Sequence, residues 1–218
     1  IITRTSTELD LRNQQQVNTF FEREKPEYVF LAAAKVGGIG ANNSYPVEFL
    51  ADNVRIQSNL MEAAHAANVE KFIFLGSSCI YPRDCAQPIK EEYLLTGPLE
   101  ETNSAYAIAK IAGIELIKSF RKEYGRKWIS LMPTNLYGPF DNFELQGSHV
   151  LPAFIRRFVE AAESGAAKET LWGTGAPKRE FLHVADLAAA VLHLGEKYDE
   201  PGHINIGTGE DLTIKELA

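Results

Sequence analysis

The sequence predicts an α/β protein built on a doubly wound parallel sheet with a smaller appended lobe. Two observations support this fold class: short apolar runs recur along the chain, and longer stretches with helical periodicity separate them. Strands and helices that alternate in this way form βαβ units, whose strands lie parallel. The 218 residues, 45% of them hydrophobic, are enough for one substantial core and a small extra lobe.

Four regular elements are expected in the first 124 residues. Residues 28–34 form an apolar run typical of a buried strand, and residues 46–68 have a helical pattern with Pro46 in the first turn. Residues 71–75 form a second buried strand, and residues 104–124 a second long helix.

The alternation of strand and helix patterns is less regular in the second half of the chain. Residues 128–132 form a strand pattern that we expect Pro133 to stop, and a polar loop covers residues 140–148. A helix follows over residues 150–164. Residues 204–207 look like one more strand, and a helix starts near Thr213.

Both ends of the chain look truncated. Residues 1–4 could be the last residues of a strand, and the chain stops inside a helical pattern. The glycines of Gly37-Gly38-Ile39-Gly40 follow a strand, but Asn43 stands where the dinucleotide pattern G-x-G-x-x-G needs glycine. We therefore interpret that segment as a flexible turn.

Composition narrows the class of protein. The formal charge of −7 argues against nucleic-acid binding, and no apolar run reaches membrane-spanning length. Cys79 and Cys85 are too few for a disulfide framework and lack the neighbours of a metal site. We expect a reduced, cytoplasmic protein with no metal, no nucleic-acid partner and no membrane partner.

The most informative pair is Tyr106 and Lys110. Among eight tyrosines, only Tyr106 has a lysine four positions on, and both side chains leave the same face of a helix. The ammonium is expected to lower the tyrosine pKa from about 10 towards neutral, which makes a proton donor for a carbonyl. Ser77, at the carboxyl end of a predicted strand, could donate to the same carbonyl.

A set of motifs in this order resembles the GDP-L-fucose synthase family, a group of extended short-chain dehydrogenases/reductases with a Rossmann-like fold. The resemblance covers essentially the whole chain. Its motifs are Ala32-Ala33-Ala34-Lys35-Val36-Gly37-Gly38-Ile39, Gly76-Ser77-Ser78-Cys79-Ile80-Tyr81-Pro82, Tyr106-x-x-x-Lys110, Met132-Pro133-Thr134-Asn135-Leu136-Tyr137-Gly138-Pro139, Ser148-His149-Val150 and Arg179-Glu180-Phe181-Leu182-His183-Val184.

The resemblance implies epimerisation of GDP-4-keto-6-deoxy-D-mannose at C3 and C5, followed by reduction of its C4 ketone by NADPH. Cys79 and His149 would be the base and the acid of epimerisation. A cysteine is a good base only if its pKa falls from about 8.5. Ser77 and Tyr106 would stabilise negative charge on the C4 oxygen, and Lys110 would also bind the nicotinamide ribose.

The resemblance also implies the contacts to NADP(H) and to the GDP-sugar. The cofactor-binding residues would be Arg4, Asp10, Leu11, Leu75, Gly76, Ser77, Ser78, Tyr106, Lys110, Pro133, Thr134, Asn135, Leu136 and His149. The substrate-binding residues would be Arg157, Trp172 and Arg179, although Arg156 could replace its neighbour Arg157 at the diphosphate. Trp172 could equally pack in a core or an interface.

The same resemblance suggests a domain division and a homodimer. Residues 1–138 would bind NADP without the first βα unit, residues 139–183 would form mainly the substrate-binding lobe, and residues 184–210 would return to the Rossmann-like domain. Residues 211–218 would start a truncated C-terminal segment.

Two other functions stay open. A nucleotide-sugar 4-epimerase or dehydratase with tightly held NAD would use the same Tyr106 and Lys110 pair without needing Cys79 and His149. A nucleotide-binding sensor on the same fold would have no chemical need for Ser77, Cys79, Tyr106, Lys110 and His149 together.

Overall fold

The computed structural model describes residues 1–144 and 147–218. Its helices are α1 (Gln14–Glu24), α2 (Ile39–Ser44), α3 (Pro46–Ala66), α4 (Ser104–Tyr124), α5 (Val150–Glu163), α6 (Val184–Lys197) and α7 (Ile214–Leu217). Its strands are β1 (Tyr28–Leu31), β2 (Lys71–Leu75), β3 (Ile129–Pro133), β4 (Asn135–Tyr137), β5 (Lys178–His183), β6 (His203–Ile206) and β7 (Asp211–Thr213). Short 3-10 turns cover Ser78–Ile80, Glu91–Tyr93 and Glu101–Asn103.

The main sheet has the order β1-β2-β3-β6, and every pair in it is parallel. Successive side chains of β2 enter different cores: Phe72 and Phe74 join the cluster under α1, α3 and α4, while Ile73 joins the cluster under α6. Helices therefore cover both faces of the sheet, which explains the uninterrupted apolar run of β2. The predicted doubly wound α/β fold is confirmed.

A second, three-stranded sheet lies beyond the end of β3. Strand β4 pairs in parallel with β5, and β5 pairs antiparallel with β7. These strands were not predicted, nor were α1, α2 and α6. Strand β4 ends at Tyr137, so the small sheet takes one strand from the range 1–138 that the sequence analysis assigned to the NADP-binding domain. The domain division made from the sequence stays a prediction.

Three of the differences from the sequence prediction have a clear structural cause. Strand β1 ends at Leu31 because the next amide, that of Ala32, donates to the Phe30 carbonyl rather than to a strand. Pro133 lies inside β3, since pairing with β2 stops at Leu131 and the missing N–H costs no ladder bond there. Residues 1–4 form no strand, because no described strand pairs with them.

Close packing between α4 and β2 depends on Gly113. A Cβ at this position would lie 2.4 Å from Phe74 Cζ and 2.9 Å from Gln57 Oε1. Gln57 of α3 also donates through Nε2 to the Ala109 carbonyl of α4 at 2.7 Å, inside the core. The position of α4, which starts two residues before Tyr106, is thus set by contacts deep in the core.

Replacing Gly113 with alanine should destabilise the fold by about 1–3 kcal/mol, because the added methyl overlaps Phe74 and Gln57. Gly195 of α6 is the matched control: its nearest neighbour to an added Cβ is Ile73 Cδ1 at 3.4 Å, so Gly195→Ala should be neutral or stabilising by up to about 1 kcal/mol. Urea unfolding of both variants measures the difference. A Gly113→Ala variant as stable as Gly195→Ala would contradict this account.

Candidate active site

The functional site lies where β2 and β3 end and α4 begins. The carboxyl ends of parallel strands meet at one edge of a sheet, which is where open α/β sheets bind ligands. A cavity of about 370 Å³ lies at this edge. Its wall includes Val36, Gly37, Asn42, Phe49, Gly76, Ser77, Ser78, Tyr106, Pro133, Thr134, Asn135, Leu136, Tyr137, Gly138, Pro139, Phe140, Asp141, His149 and Val184.

Lys110 is the buried charge of the site, with only 4% of its surface exposed. Its ammonium donates to the Leu75 carbonyl at 2.8 Å and lies 4.9 Å from the ring centroid of Phe74. Burial lowers the pKa of Lys110 to about 8, against the opposing effect of a negative charge on Cys79. The lysine is thus fixed to the end of β2.

Tyr106 does not have the lowered pKa that its spacing to Lys110 predicts. Burial raises the pKa of Tyr106 above its ordinary value, and a negative charge on Cys79 would raise it further. The ammonium of Lys110 is 5.6 Å from the tyrosine ring centroid and bonds to Leu75. The ring packs edge-on against Phe49, so desolvation outweighs the lysine charge. The expectation of a near-neutral tyrosine is wrong, and the phenol is protonated at neutral pH.

Cys79 lies in the 3-10 turn that follows Ser77. The hydroxyl of Ser77 accepts the Cys79 N–H at 3.4 Å. Burial raises the pKa of Cys79 to about 11, while the Ser77 contact and the Lys110 charge act in the opposite direction. The pKa lowering that a cysteine base requires is therefore not supplied by the protein as it stands, and the side chain is a thiol at neutral pH.

The turn that holds Cys79 is anchored by a buried network missed by sequence reasoning. Tyr81, which is 4% exposed, places its hydroxyl 3.0 Å from His203 Nε2 and donates to Asn205 Oδ1. The backbone N–H of Asn205 donates to the Glu91 carboxylate at 2.9 Å. Burial raises the pKa of Tyr81 and lowers that of His203. Tyr81 and His203 are 122 residues apart in the sequence, so no local sequence pattern indicates that they are hydrogen-bonded.

Most of the residues proposed for cofactor binding meet at the cavity. Gly76, Ser77, Ser78, Tyr106, Pro133, Thr134, Asn135, Leu136 and His149 all lie in its wall. Leu75 contributes the carbonyl that holds Lys110. The side chains of Thr134 and Asn135 both donate to the Glu180 carbonyl, which ties the end of β3 to β5.

Besides Leu75 and Lys110, three proposed cofactor residues lie outside this wall. Arg4 forms an ion pair with Glu24 at 2.8 Å, and Asp10 is bonded through both oxygens to Arg12. Leu11 packs against the core beneath α3, with its carbonyl accepting from Asn59. Their roles towards a cofactor stay predictions.

The proposed substrate residues also lie outside the cavity wall. Arg157 bonds through Nε to Glu169 at 2.7 Å, and Arg179 donates to the Lys178 carbonyl. Arg156 instead contacts Glu160 and the Phe143 carbonyl. Trp172 is 87% exposed, which rules out core packing within the described chain. Their roles towards the GDP-sugar remain predictions.

The fold and the site define a nucleotide-dependent enzyme of the short-chain dehydrogenase/reductase type. The chain belongs to the NAD dependent epimerase/dehydratase family, whose model matches residues 2–207.

Among curated relatives, the chain is 56% identical to the probable GDP-L-fucose synthase 1 of Oryza sativa subsp. japonica, over 100% of this chain and 67% of that protein. It is 52% identical to the GDP-L-fucose synthase of Escherichia coli (strain K12), over 100% of this chain and 71% of that protein. A GDP-mannoheptose C4 reductase from Campylobacter jejuni, solved with NADP bound, superposes with a TM-score of 0.89 at 37% identity, covering 99% of this chain and 74% of that one. The chain spans about two thirds of the length of the curated relatives.

None of the helices in the described ranges combines the length and the apolar content that crossing a membrane would require.

The raised pKa of Cys79 predicts slow alkylation at neutral pH. Iodoacetamide should modify Cys79 at a rate that increases with pH towards about 11, because only the thiolate reacts and burial disfavours it. Lys110→Met should slow the reaction further below about pH 8, where the lysine carries the nearby positive charge that favours the thiolate. Peptide-resolved mass spectrometry separates Cys79 from Cys85. A rate that reaches its plateau below pH 8 would contradict the burial argument.

Proposed function

We propose that this protein converts GDP-4-keto-6-deoxy-D-mannose to GDP-L-fucose by epimerisation at C3 and C5 and NADPH-dependent reduction at C4. The observation that carries the proposal is the meeting of Ser77, Tyr106 and His149 in one cavity wall. Cys79 follows Ser77 in the adjoining turn, and Lys110 lies one helical turn beyond Tyr106. The names of the relatives, at 52–56% identity, agree with this chemistry.

The cavity wall fits NADP(H). Gly76 has no room for a side chain, since its Cβ would lie 2.3 Å from Met132 Sδ, so bare backbone faces the cavity there. Ser77 and Ser78 line the same cavity as the apolar Pro133 and Leu136, so the wall offers both polar and apolar groups to a nicotinamide ring. When bound, NADPH supplies the hydride for the C4 ketone. Lys110 would contact the cofactor ribose.

For the reduction, Tyr106 acts as the acid. Its raised pKa keeps the phenol protonated at neutral pH, so the hydroxyl can donate its proton to the C4 oxygen as negative charge develops there. Ser77 donates a second hydrogen bond to the same oxygen, and the Lys110 ammonium stabilises the phenolate that remains.

For the epimerisation, Cys79 and His149 exchange protons with the substrate. The C4 ketone acidifies the hydrogens on C3 and C5, and Ser77 and Tyr106 stabilise the charge that passes to the C4 oxygen. Cys79 removes a proton and His149 delivers one to the opposite face. Because the pKa of Cys79 is raised to about 11, the base form is scarce at neutral pH and increases up to that pH.

If Tyr106 is the proton donor for the reduction, its removal should impair the reduction more than the epimerisation in the full-length protein. Tyr106→Phe should reduce NADPH oxidation by about 100-fold or more, because the C4 oxygen loses its proton donor. Exchange of the C3 and C5 hydrogens with D₂O should persist at a measurable rate, supported by Ser77. Tyr28→Phe is the control, since that tyrosine is exposed on β1 and contacts Glu70. Equal loss of both reactions would contradict the assignment.

One assay tests the function itself. The full-length protein is mixed with GDP-4-keto-6-deoxy-D-mannose and NADPH, absorbance at the nicotinamide band is followed, and the product sugar is identified. NADPH oxidation with GDP-L-fucose formed supports the proposal. Reduction without exchange at C3 and C5 would indicate a plain C4 reductase, as the Campylobacter relative is named. Cofactor binding without oxidation would favour a sibling 4-epimerase or dehydratase, or a sensor.

We also propose a cytoplasmic homodimer. Both cysteines are free thiols, as suits a reducing compartment. Val47 and Leu50 on α3 and Ile108 on α4 expose apolar surface that a second copy could cover. Light scattering during size-exclusion chromatography distinguishes a dimer from a monomer.

A further inference from the structure

The glycine turn before α2 is docked on the segment that carries His149. The N–H of Gly38 donates to the Gly147 carbonyl at 3.2 Å. This is a contact between two segments more than one hundred residues apart in sequence. The turn does not match a dinucleotide-binding pattern, and nothing in the proposed chemistry uses it directly.

The two backbones are too close for any side chain at position 38. A Cβ there would lie 2.9 Å from the Ser148 carbonyl oxygen, and the three nearest atoms to it all belong to the backbone of Gly147 and Ser148. Gly38 has φ −65° and ψ 177°, which any residue can adopt. Glycine is therefore required here by the contact and not by the backbone conformation.

Asn42 holds the turn in the shape that makes this contact. Its side-chain amide donates to the Gly37 carbonyl at 2.8 Å and to the Gly38 carbonyl at 3.2 Å. The residue is only 7% exposed, so these bonds are shielded from water. The turn is thus a fixed support rather than the flexible segment that its glycines suggest.

We propose that Gly38 is a positioning residue that sets the place of His149 in the cavity wall, acting through the backbone of Gly147 and Ser148. His149 follows Ser148 directly and is the N-cap residue of α5. A displaced Ser148 carbonyl therefore displaces the imidazole, while Ser77, which follows β2, and Lys110, which donates to the Leu75 carbonyl, take no part in the Gly38 contact. The inference rests on the proposed function, because it assigns the support of the epimerisation acid.

The test compares two alanine variants of the full-length protein. Gly38→Ala forces the Ser148 carbonyl away, and displacement of a catalytic group by about 1 Å can cost roughly 100-fold in rate. We expect exchange of the C3 and C5 hydrogens with D₂O to slow at least tenfold. Reduction of the already epimerised 4-keto sugar should change less than twofold. Gly40→Ala is the matched control, since a Cβ there meets no atom within 4 Å, and it should behave as wild type.

A double-variant cycle separates positioning from general damage. If Gly38 acts through His149, then Gly38→Ala should slow exchange no further in a His149→Ala background. A full additional loss in that background would overturn the inference. So would equal slowing of exchange and reduction by Gly38→Ala alone, or unchanged exchange.

Amide hydrogen exchange gives a readout that does not depend on activity. Residues 147–153 should exchange faster in Gly38→Ala than in wild type, and at the wild-type rate in Gly40→Ala. If the wild-type protein neither exchanges C3 and C5 nor reduces C4, the proposed function fails. In that case the amide exchange rates test only whether Gly38 holds the backbone of Gly147 and Ser148. Unchanged protection of residues 147–153 in Gly38→Ala would show that it does not.

Discussion

The hydrogen bond from the Lys110 ammonium to the Leu75 carbonyl is the contact on which the arrangement of the site depends. A buried ammonium must be hydrogen-bonded, because an unpaired charge in the core costs several kcal/mol. The bond ties α4 to the carboxyl end of β2, the two elements that supply Tyr106 and Ser77. The helix can approach the strand this closely because Gly113 carries no side chain against Phe74.

The regular elements with long-range periodicity could be predicted from the sequence. Strand β2 was placed at its true bounds, and α4 likewise, because a strand buried on both faces and a helix of 21 residues both leave long, clear patterns in the sequence. Strands β4 and β7, at three residues each, are too short to show a period. Their existence depends on pairing with β5, and sequence periodicity carries no information on partners.

The meeting of most of the proposed site residues at one edge of the sheet could be predicted, but their electrostatics could not. Spacing correctly brought Tyr106 and Lys110 to one face of a helix, yet it predicted the wrong direction for the tyrosine pKa. Desolvation depends on how much protein surrounds a group in three dimensions, and Phe49 and Cys79 come from other segments. The same reasoning explains why the support beneath His149 was interpreted as a flexible turn: its partner lies in a distant loop.

The network around Tyr81 has a consequence for the order of assembly. Its partners His203 and Asn205 lie 122 and 124 residues further along the chain, on the last strand of the main sheet. During synthesis, β1, β2 and α4 leave the ribosome long before β6, so the turn bearing Cys79 has its packing partners in the core early but lacks the Tyr81 hydrogen bonds until most of the chain is made. Contacts at such separation form late and slow the folding of the elements that need them. We therefore expect the hydrogen bonds that tie the Cys79 turn to β6 to form after the helix bearing Tyr106 and Lys110.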